Sequence, residues 1–244
     1  MVGTQFCFER YEKKYMLTRA QRDALLARIG GHLAPDAYPV YTICNLYYDT
    51  GDYRLIRASI DAPVYKEKLR VRSYGVPGAD DGVFVELKKK FDGVVYKRRI
   101  TVPLAQAAPF LSGQTDADAF GQIGREIRWF QRCHKTAPKV LIAYDRTAFA
   151  GIGDAEVRVT FDTGLRWRTA ALELTGGDWG QALLPEDAVL MEVKLPGVCP
   201  LWLSRALSEL AIYPTSFSKY GECYRRYILP CAARQIRKEV AFCA

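Results

Sequence analysis

The fold of this chain is decided by a predicted strand at residues 63–74, PVYKEKLRVRSY, and by the two predicted strands that follow, VFVELKKK at 83–90 and VVYKRRITV at 94–102. Charged and apolar residues alternate in each stretch, and alternate residues of a β-strand point to opposite faces of the sheet. One face of the first stretch is basic and consists of Lys66, Lys68, Arg70 and Arg72. Such a strand buries its apolar face and leaves its basic face for solvent or a ligand.

The same alternation predicts further strands at 5–15, 42–48, 139–149, 156–162 and 189–195, with a weaker one at 165–174. Helical periodicity predicts helices at 18–29, 116–135, 200–211 and 219–229. The first helix begins at Thr18, whose spacing to Gln21 is that of a capping box. The pattern therefore predicts an α+β fold of mostly antiparallel strands, as a single domain over residues 1–244.

Composition excludes several classes of protein. The chain carries 35 Lys and Arg against 27 Asp and Glu, a net charge of +8, which favours an anionic partner. No apolar run approaches the roughly 20 residues of a membrane-spanning helix, and the first residues lack a signal-peptide core. Seven scattered cysteines and two histidines argue against a disulfide framework and a histidine-rich metal centre. These features predict a cytoplasmic protein.

The charged faces of the predicted strands are largely of one sign. Together with Lys219 they hold 14 Lys and Arg against three Glu and one Asp. Like charges on neighbouring strands repel, so such a surface indicates an anionic ligand. If the strands close into a barrel with its apolar faces under the helices, the basic faces line a tunnel that binds polyanions.

Three glutamates, Glu12, Glu86 and Glu192, lie among these cations. A hard divalent cation that bridges carboxylate and phosphate oxygens would explain their presence. Simple pairing of each glutamate with a neighbouring Lys or Arg explains it equally well. Charge alone leaves both interpretations open.

Nine stretches, in the same order along the chain, resemble the VTC (vacuolar transporter chaperone) polyphosphate polymerase domain, a branch of the CYTH-like triphosphate tunnel metalloenzymes. They are FERYEKKY at 8–15, LYYDT at 46–50, YKEKLRVRSYG at 65–75, VFVELKKK at 83–90, YKRRI at 96–100, AYDRTAF at 143–149, VRVTFD at 157–162, LMEVKL at 190–195 and SFSKYGECY at 216–224. The resemblance covers residues 6 to about 228. It implies an eight-stranded antiparallel β-barrel tunnel with a polar basic interior and flanking helices. It also implies transfer of the γ-phosphoryl group of ATP to a growing polyphosphate chain, with Mn²⁺ or Mg²⁺ as cofactor.

Carried onto this chain, the resemblance implies a set of basic tunnel residues: Lys14, Arg70, Arg72, Lys88, Lys97, Arg146, Arg158 and Lys219. It makes Glu192 the metal ligand, and Tyr144 and Ser218 hydrogen-bond donors to phosphate. We expect the catalytic set to be Arg70, Arg72, Lys88, Arg146 and Lys219. The face pattern adds Arg10, Lys68, Arg99 and Lys194 to the substrate-binding residues. Glu86 is a second candidate metal ligand, and Glu12 a weaker one because Arg10 precedes it where the wider clan has Glu.

Other functions fit the same pattern. The tunnel could hydrolyse tripolyphosphate or a nucleoside triphosphate, or bind polyphosphate without catalysis. Nucleic-acid binding is disfavoured, because the basic side chains are predicted to face inward rather than from an exposed helix or loop. The expected partners are ATP, inorganic polyphosphate and diphosphate, and any membrane coupling would need a separate membrane protein. The sequence leaves the oligomeric state open.

Overall fold

The computed structural model of the chain describes residues 11–61, 64–92, 94–154 and 156–231. The strands in these ranges are β1 (Tyr11–Thr18), β2 (Leu33–Asp49), β3 (Tyr65–Tyr74), β4 (Gly82–Phe91), β5 (Val94–Pro103), β6 (Ala137–Gly151), β7 (Arg158–Arg168), β8 (Gln181–Ala182), β9 (Ala188–Leu195) and β10 (Pro214–Thr215). The α-helices are α1 (Arg19–Ile29), α2 (Arg54–Ile60), α3 (Leu104–Ser112), α4 (Gly121–His134), α5 (Leu201–Glu209) and α6 (Lys219–Cys223). An antiparallel sheet with flanking helices confirms the predicted α+β class.

The strands are hydrogen-bonded in the order β10-β1-β9-β7-β6-β2-β3-β4-β5, and β8 pairs with β7. Of these ten strands, β8 and β10 have two residues each, which leaves the eight long strands that the resemblance implies. Antiparallel pairing joins β1 to β9, β2 to β3, β3 to β4 and β4 to β5. The order has two ends, at β10 and β5, so in the part of the chain that the structure describes the hydrogen-bonded sheet is open and not a closed barrel.

The chain divides into two compact units, each with its own core. Unit 1 comprises residues 11–42, 144–165 and 184–217, as far as they are described, and packs Leu25 and Leu203 of its helices against β1, β7 and β9. Unit 2 comprises the described residues of 43–143, 166–183 and 218–231. Its core packs Phe110 of α3 and Phe130 of α4 against the apolar side chains of β3, β4 and β5. The strands β2, β6 and β7 contribute residues to both units, and the single domain predicted from the sequence stays a prediction.

The observed helices agree only in part with those predicted from the sequence. The capping box of α1 is present as predicted, since Thr18 accepts a hydrogen bond from the backbone N–H of Gln21 and the Gln21 side chain accepts one from Thr18. The predicted helix 219–229 is a short α-helix, α6, continued by a π-helical turn at Tyr224–Ile228. Two further helices, α2 and α3, were not predicted. None of the described helices has the length and apolar character that crossing a membrane requires.

Candidate functional site

Three neighbouring strands of unit 2, β3, β4 and β5, carry a face of charged side chains that we call the basic face. These residues alternate with apolar ones such as Leu69 and Leu87, which are fully buried in the core with α3 and α4. The basic face consists of Lys66, Lys68, Arg70, Arg72, Glu86, Lys88, Lys90, Lys97 and Arg99. The helices α3 and α4 cover the opposite face of the three strands, so they do not cover the basic face.

Glu86 is the centre of the basic face, and its side chain is only 1% exposed. Its carboxylate lies 2.8 Å from Arg70 Nη2, 2.6 Å from Arg99 Nη2, 2.7 Å from Lys97 Nζ and 3.6 Å from Arg72 Nε. The strand register produces this cluster, because Glu86 pairs with Arg70 on one side and with Arg99 on the other. We call these five residues the Glu86 cluster.

The Glu86 cluster carries a net positive charge, and its cations keep the Glu86 carboxylate ionised. Burial alone would raise the pKa of Glu86, but the charges of Arg70 and Arg72 and a hydrogen bond from Lys97 outweigh burial and hold that pKa well below its usual range. Burial lowers the pKa of Lys97, and Glu86 partly offsets this effect. Four cations around one carboxylate leave an excess of three positive charges. A cluster of this composition can bind a multivalent anion without first losing its internal order.

Two residues of β2, neither of which was predicted to belong to the site, help to orient the arginines of the cluster. Arg72 Nε donates a hydrogen bond of 3.1 Å to Asn45 Oδ1, and Asn45 in turn donates one of 3.2 Å to the carbonyl of Ile142. Arg70 Nη1 lies 3.4 Å from the hydroxyl oxygen of Tyr47. Asn45 and Tyr47 alternate along β2, so the same two-residue period could have placed both on the face that carries the arginines.

Two rows of lysines extend the basic face beyond the Glu86 cluster. Lys68 lies directly opposite Lys88, and Lys66 directly opposite Lys90. Burial lowers the pKa of Lys66, and the charge of Lys90 lowers it further. Directly opposed like charges destabilise a sheet, so these rows favour an extended anion as their ligand.

The N-terminus of α6 joins this surface. Ser218 is the N-cap of α6, and its hydroxyl accepts hydrogen bonds from the backbone N–H of Gly221 and, at 3.0 Å, from Lys68 Nζ. Lys219 is the first residue of the helix. The structure therefore brings Ser218 together with Lys68, two of the predicted substrate-binding residues.

A buried contact holds α6 in place. The Tyr220 hydroxyl donates a hydrogen bond of 3.0 Å to Asp49 Oδ2, and the Tyr220 ring stacks on Tyr47 with centroids 4.8 Å apart. Burial raises the pKa of Tyr220, and Asp49 raises it further. Asp49 also accepts hydrogen bonds from the backbone N–H groups of Leu55 and Ile56 at the start of α2. The Asp49 carboxylate thus ties two helices to the end of β2.

A Tyr220→Phe variant is expected to lose about 2 kcal/mol of unfolding free energy, because it removes a hydrogen bond to a buried carboxylate. Asp49 would keep its backbone donors, so the variant should still fold. Urea denaturation measures the difference, with the exposed Tyr213→Phe as the matched control. Equal stability of the Tyr220 and Tyr213 variants would contradict a structural role of the Tyr220–Asp49 hydrogen bond.

A second charged cluster lies in unit 1, around Glu192 of β9. Lys14 pairs with Glu192 in the register of β1 and β9, and Lys14 Nζ lies 3.7 Å from both the Glu192 and the Glu12 carboxylates. Arg146 Nη2 lies 3.5 Å from Glu192. These ion pairs are longer than hydrogen bonds, in contrast to the close contacts of Glu86. Two carboxylates therefore share one lysine at this place.

Arg146 has a partner that the sequence did not predict for it. Its Nε and Nη2 atoms donate hydrogen bonds of 2.6 and 2.8 Å to the two oxygens of Asp162, which is fully buried. Burial alone would lower the pKa of Arg146, but Asp162, Tyr144 and Glu192 outweigh burial and raise it. The guanidinium also lies 5.4 Å from the ring centroid of the buried Tyr144. Asp162 thus fixes the orientation of Arg146.

The other predicted site residues of unit 1 are placed as follows. Arg158 forms an ion pair with Asp36 and lies opposite Lys194 in the pairing of β7 and β9. Lys194 lies opposite Glu12 on its other side. Arg10 lies outside the described residues.

Comparisons with known proteins agree with this architecture. The sequence model of the VTC domain matches residues 9–228 of the chain. A crystal structure from Bacillus halodurans, provisionally described as an adenylate cyclase, has a TM-score of 0.50 at 13% identity and covers 88% of this chain and 96% of that chain. A protein from Hippeastrum has a TM-score of 0.52 at 15% identity, and the match covers 88% of this chain and 94% of that chain. That protein is provisionally described as an adenylyl cyclase and is reported to have a dominant triphosphatase activity. At such identities the likeness concerns the fold alone. No curated protein matches the chain.

Proposed function

Because the chain belongs to the VTC domain family, we propose that it is a polyphosphate polymerase, which transfers the γ-phosphoryl group of ATP to the end of an inorganic polyphosphate chain. The observation that carries the proposal is the Glu86 cluster, where four cations surround one buried carboxylate. Phosphoryl transfer requires mainly positioning and neutralisation of charge, and this cluster supplies both.

The arginines of the cluster bind the β and γ phosphates of the donor in this proposal. Arg70 and Arg72 are held by Glu86, Tyr47 and Asn45, so their guanidinium groups keep their orientation before and after transfer. Preorganised donors stabilise the charge that develops in the transition state at little reorganisation cost. Within unit 1, Asp162 likewise holds the guanidinium of Arg146 in a fixed orientation.

The acceptor needs no general base. The terminal phosphate of a polyphosphate chain is ionised at neutral pH, since the second pKa of a phosphate monoester is about 6. The opposed lysines Lys68 and Lys88, followed by Lys66 and Lys90, hold the acceptor chain. Ser218 and Lys219 add a hydroxyl and an ammonium group beside Lys68.

The carboxylates of unit 1 fit a divalent metal ion. Mg²⁺ is commonly held by one or two carboxylates together with substrate phosphates, and Glu192 with Glu12 supplies such a pair. In the described residues no three His, Cys, Asp or Glu side chains come together, which suits an ion shared with substrate and not one fully enclosed by protein. Glu86 is not part of the proposed metal site, because its oxygens already contact four cations. A bound Mn²⁺ or Mg²⁺ would neutralise charge on the phosphate oxygens.

A Glu192→Gln variant is expected to lose at least about a hundredfold in metal-dependent turnover, because a preorganised charged contact is removed. Its affinity for tripolyphosphate without metal should stay equal or rise, since a negative charge is lost. Turnover as a function of Mn²⁺ concentration, with Glu186→Gln as a control at an exposed position, measures the effect. Turnover equal to that of the Glu186 variant at every Mn²⁺ concentration would exclude Glu192 as the ligand.

The second candidate function is hydrolysis of tripolyphosphate or a nucleoside triphosphate, with water in place of the acceptor chain. The structural likeness to the Hippeastrum protein, whose dominant activity is described as triphosphatase, favours this alternative. The two functions use the same phosphate-binding residues and differ in the nucleophile. Their products therefore distinguish them.

The test incubates the purified protein with ATP and Mn²⁺, with and without diphosphate as primer, and resolves the products on a gel stained for polyphosphate. A ladder of long chains, enhanced by the primer, is expected. Release of orthophosphate without chains would support the hydrolase. Tight tripolyphosphate binding without turnover would identify a module that binds polyphosphate and does not catalyse.

A further inference from the structure

Two aromatic side chains lie at the end of the basic face opposite to the lysine rows. Tyr74 is the last residue of β3, two positions after Arg72, and Phe84 lies directly opposite Arg72 in the register of β3 and β4. Both side chains therefore belong to the same face as the Glu86 cluster. Their ring centroids are 5.7 Å apart, and the ring planes are nearly perpendicular at 82°.

Arg99 connects this aromatic pair to the Glu86 cluster. Its guanidinium carbon lies 4.3 Å from the ring centroid of Phe84, while its Nη2 atom lies 2.6 Å from Glu86. Phe84 is thus held between Arg99 and Tyr74. Tyr74 keeps half of its surface exposed, at 50%. The result is a half-exposed aromatic ring, braced by Phe84, next to the cations of the Glu86 cluster.

The aromatic pair lies outside the apolar core of unit 2. Neither ring belongs to the apolar core under α3 and α4, which lies on the other face of the strands. A half-exposed aromatic ring beside arginines is suited to stacking a nucleobase.

We infer that Tyr74, braced by Phe84, is the subsite for the base of a nucleoside triphosphate; this inference rests on the proposed function. Along the basic face the order is aromatic ring, arginines, then lysines. A nucleoside triphosphate has the matching order of base, ribose and phosphates. Two residues of a strand span about 7 Å, which leaves room for a ribose between Tyr74 and the arginines.

A base subsite at Tyr74 would also determine the direction in which the nucleotide lies along the basic face. With its base on Tyr74, the nucleotide extends its triphosphate along the arginines of the Glu86 cluster, which bind the β and γ phosphates, and its γ-phosphate lies at the end of the cluster that faces Lys68 and Lys88. The transferred group then lies next to the lysines to which we assign the acceptor chain. Donor and acceptor therefore meet end to end along one face of unit 2.

The test compares the dissociation constants of ATP and of inorganic tripolyphosphate, measured by calorimetry without divalent metal. A Tyr74→Ala variant is expected to bind ATP about tenfold more weakly, the scale of one base–aromatic stack. Its affinity for tripolyphosphate should remain within about twofold, since tripolyphosphate has no base to stack. Tyr74→Phe keeps the ring and should retain the wild-type affinity for ATP. Tyr96→Ala is the matched control, because Tyr96 is 49% exposed on the opposite face of β5.

The possible outcomes distinguish a failure of the base subsite from a failure of the proposed function. An unchanged ATP affinity in Tyr74→Ala, with tripolyphosphate still bound, would overturn the subsite alone. An equal loss of ATP and tripolyphosphate binding in Tyr74→Ala would show a structural role of Tyr74 and also overturn it. Failure of the wild-type protein to bind tripolyphosphate would overturn the proposed function, and the subsite with it.

Discussion

An Arg72→Ala variant is expected to lose at least about a hundredfold in turnover, the scale seen when one preorganised donor is removed from a site of developing charge. Arg72 lies beside Glu86 and donates a hydrogen bond to Asn45, so its guanidinium is fixed before substrate binds. Glu86 keeps Arg70, Lys97 and Arg99 as partners in the variant, and the chain should still fold. Initial rates of ATP consumption, with circular dichroism of the same sample, measure both effects.

Two further variants show whether the loss of turnover in Arg72→Ala comes from the guanidinium group on the basic face. Arg72→Lys keeps the charge but loses the planar fork of donors, so its activity should lie between the wild type and Arg72→Ala. Arg98→Ala is the matched control, because Arg98 lies on the other face of β5 and pairs with Glu126 at 3.2 Å. If Arg98→Ala and Arg72→Ala lost activity equally, the basic face would have no special role. Unfolding of Arg72→Ala would instead identify Arg72 as a structural ion-pair partner.

A Glu86→Gln variant is expected to be destabilised by about 3–5 kcal/mol, the cost of removing one partner from a buried ion pair. The reason is that four cations would remain together without the carboxylate that neutralises them. The control is Glu126→Gln, which removes partly exposed ion pairs on the other face and should cost less than about 1 kcal/mol. Urea denaturation at neutral pH compares the two variants.

The difference in stability between wild type and Glu86→Gln should depend on pH. The pKa of Glu86 is held well below its usual range in the folded protein, so its stabilising contribution is complete above the unfolded pKa of about 4.3. Below that pH the wild type should lose about 1.4 kcal/mol of this contribution for each pH unit, until the folded pKa is reached. A difference that stays constant between pH 6 and pH 3 would show that Glu86 is not stabilised in its charged form.

Residue periodicity alone predicts the two faces of β3, β4 and β5. Alternation in 65–74 and 83–90 separates Leu69 and Leu87, which are buried, from the cations around Glu86. The capping box of α1 is predictable for a similar reason, since it depends on residues three apart. The spacing of residues within one segment therefore predicts features such as strand faces and helix caps, which depend only on near neighbours in the sequence.

Residue spacing within one segment does not predict which side chains from distant segments form hydrogen-bonded pairs. Arg146 and Asp162 are 16 residues apart on two strands, and only the tertiary fold shows that they form a forked hydrogen-bonded pair. The same holds for Tyr220 and Asp49, which are separated by 171 residues. The unpredicted α2 begins after Tyr53 in a left-handed conformation, and the Asp49 carboxylate accepts hydrogen bonds from its first turn. Neither feature has a signal in the periodicity of its own segment.

Polyphosphate polymerase activity is tested by following the γ-phosphoryl group of ATP to its product. The protein is incubated with ATP labelled at the γ-phosphate, Mn²⁺ and diphosphate, and the label is followed over time in polyphosphate and in orthophosphate. We expect most of the label to enter chains longer than tripolyphosphate, with one ADP formed for each phosphate transferred. Label found only in orthophosphate at every time point would contradict this expectation.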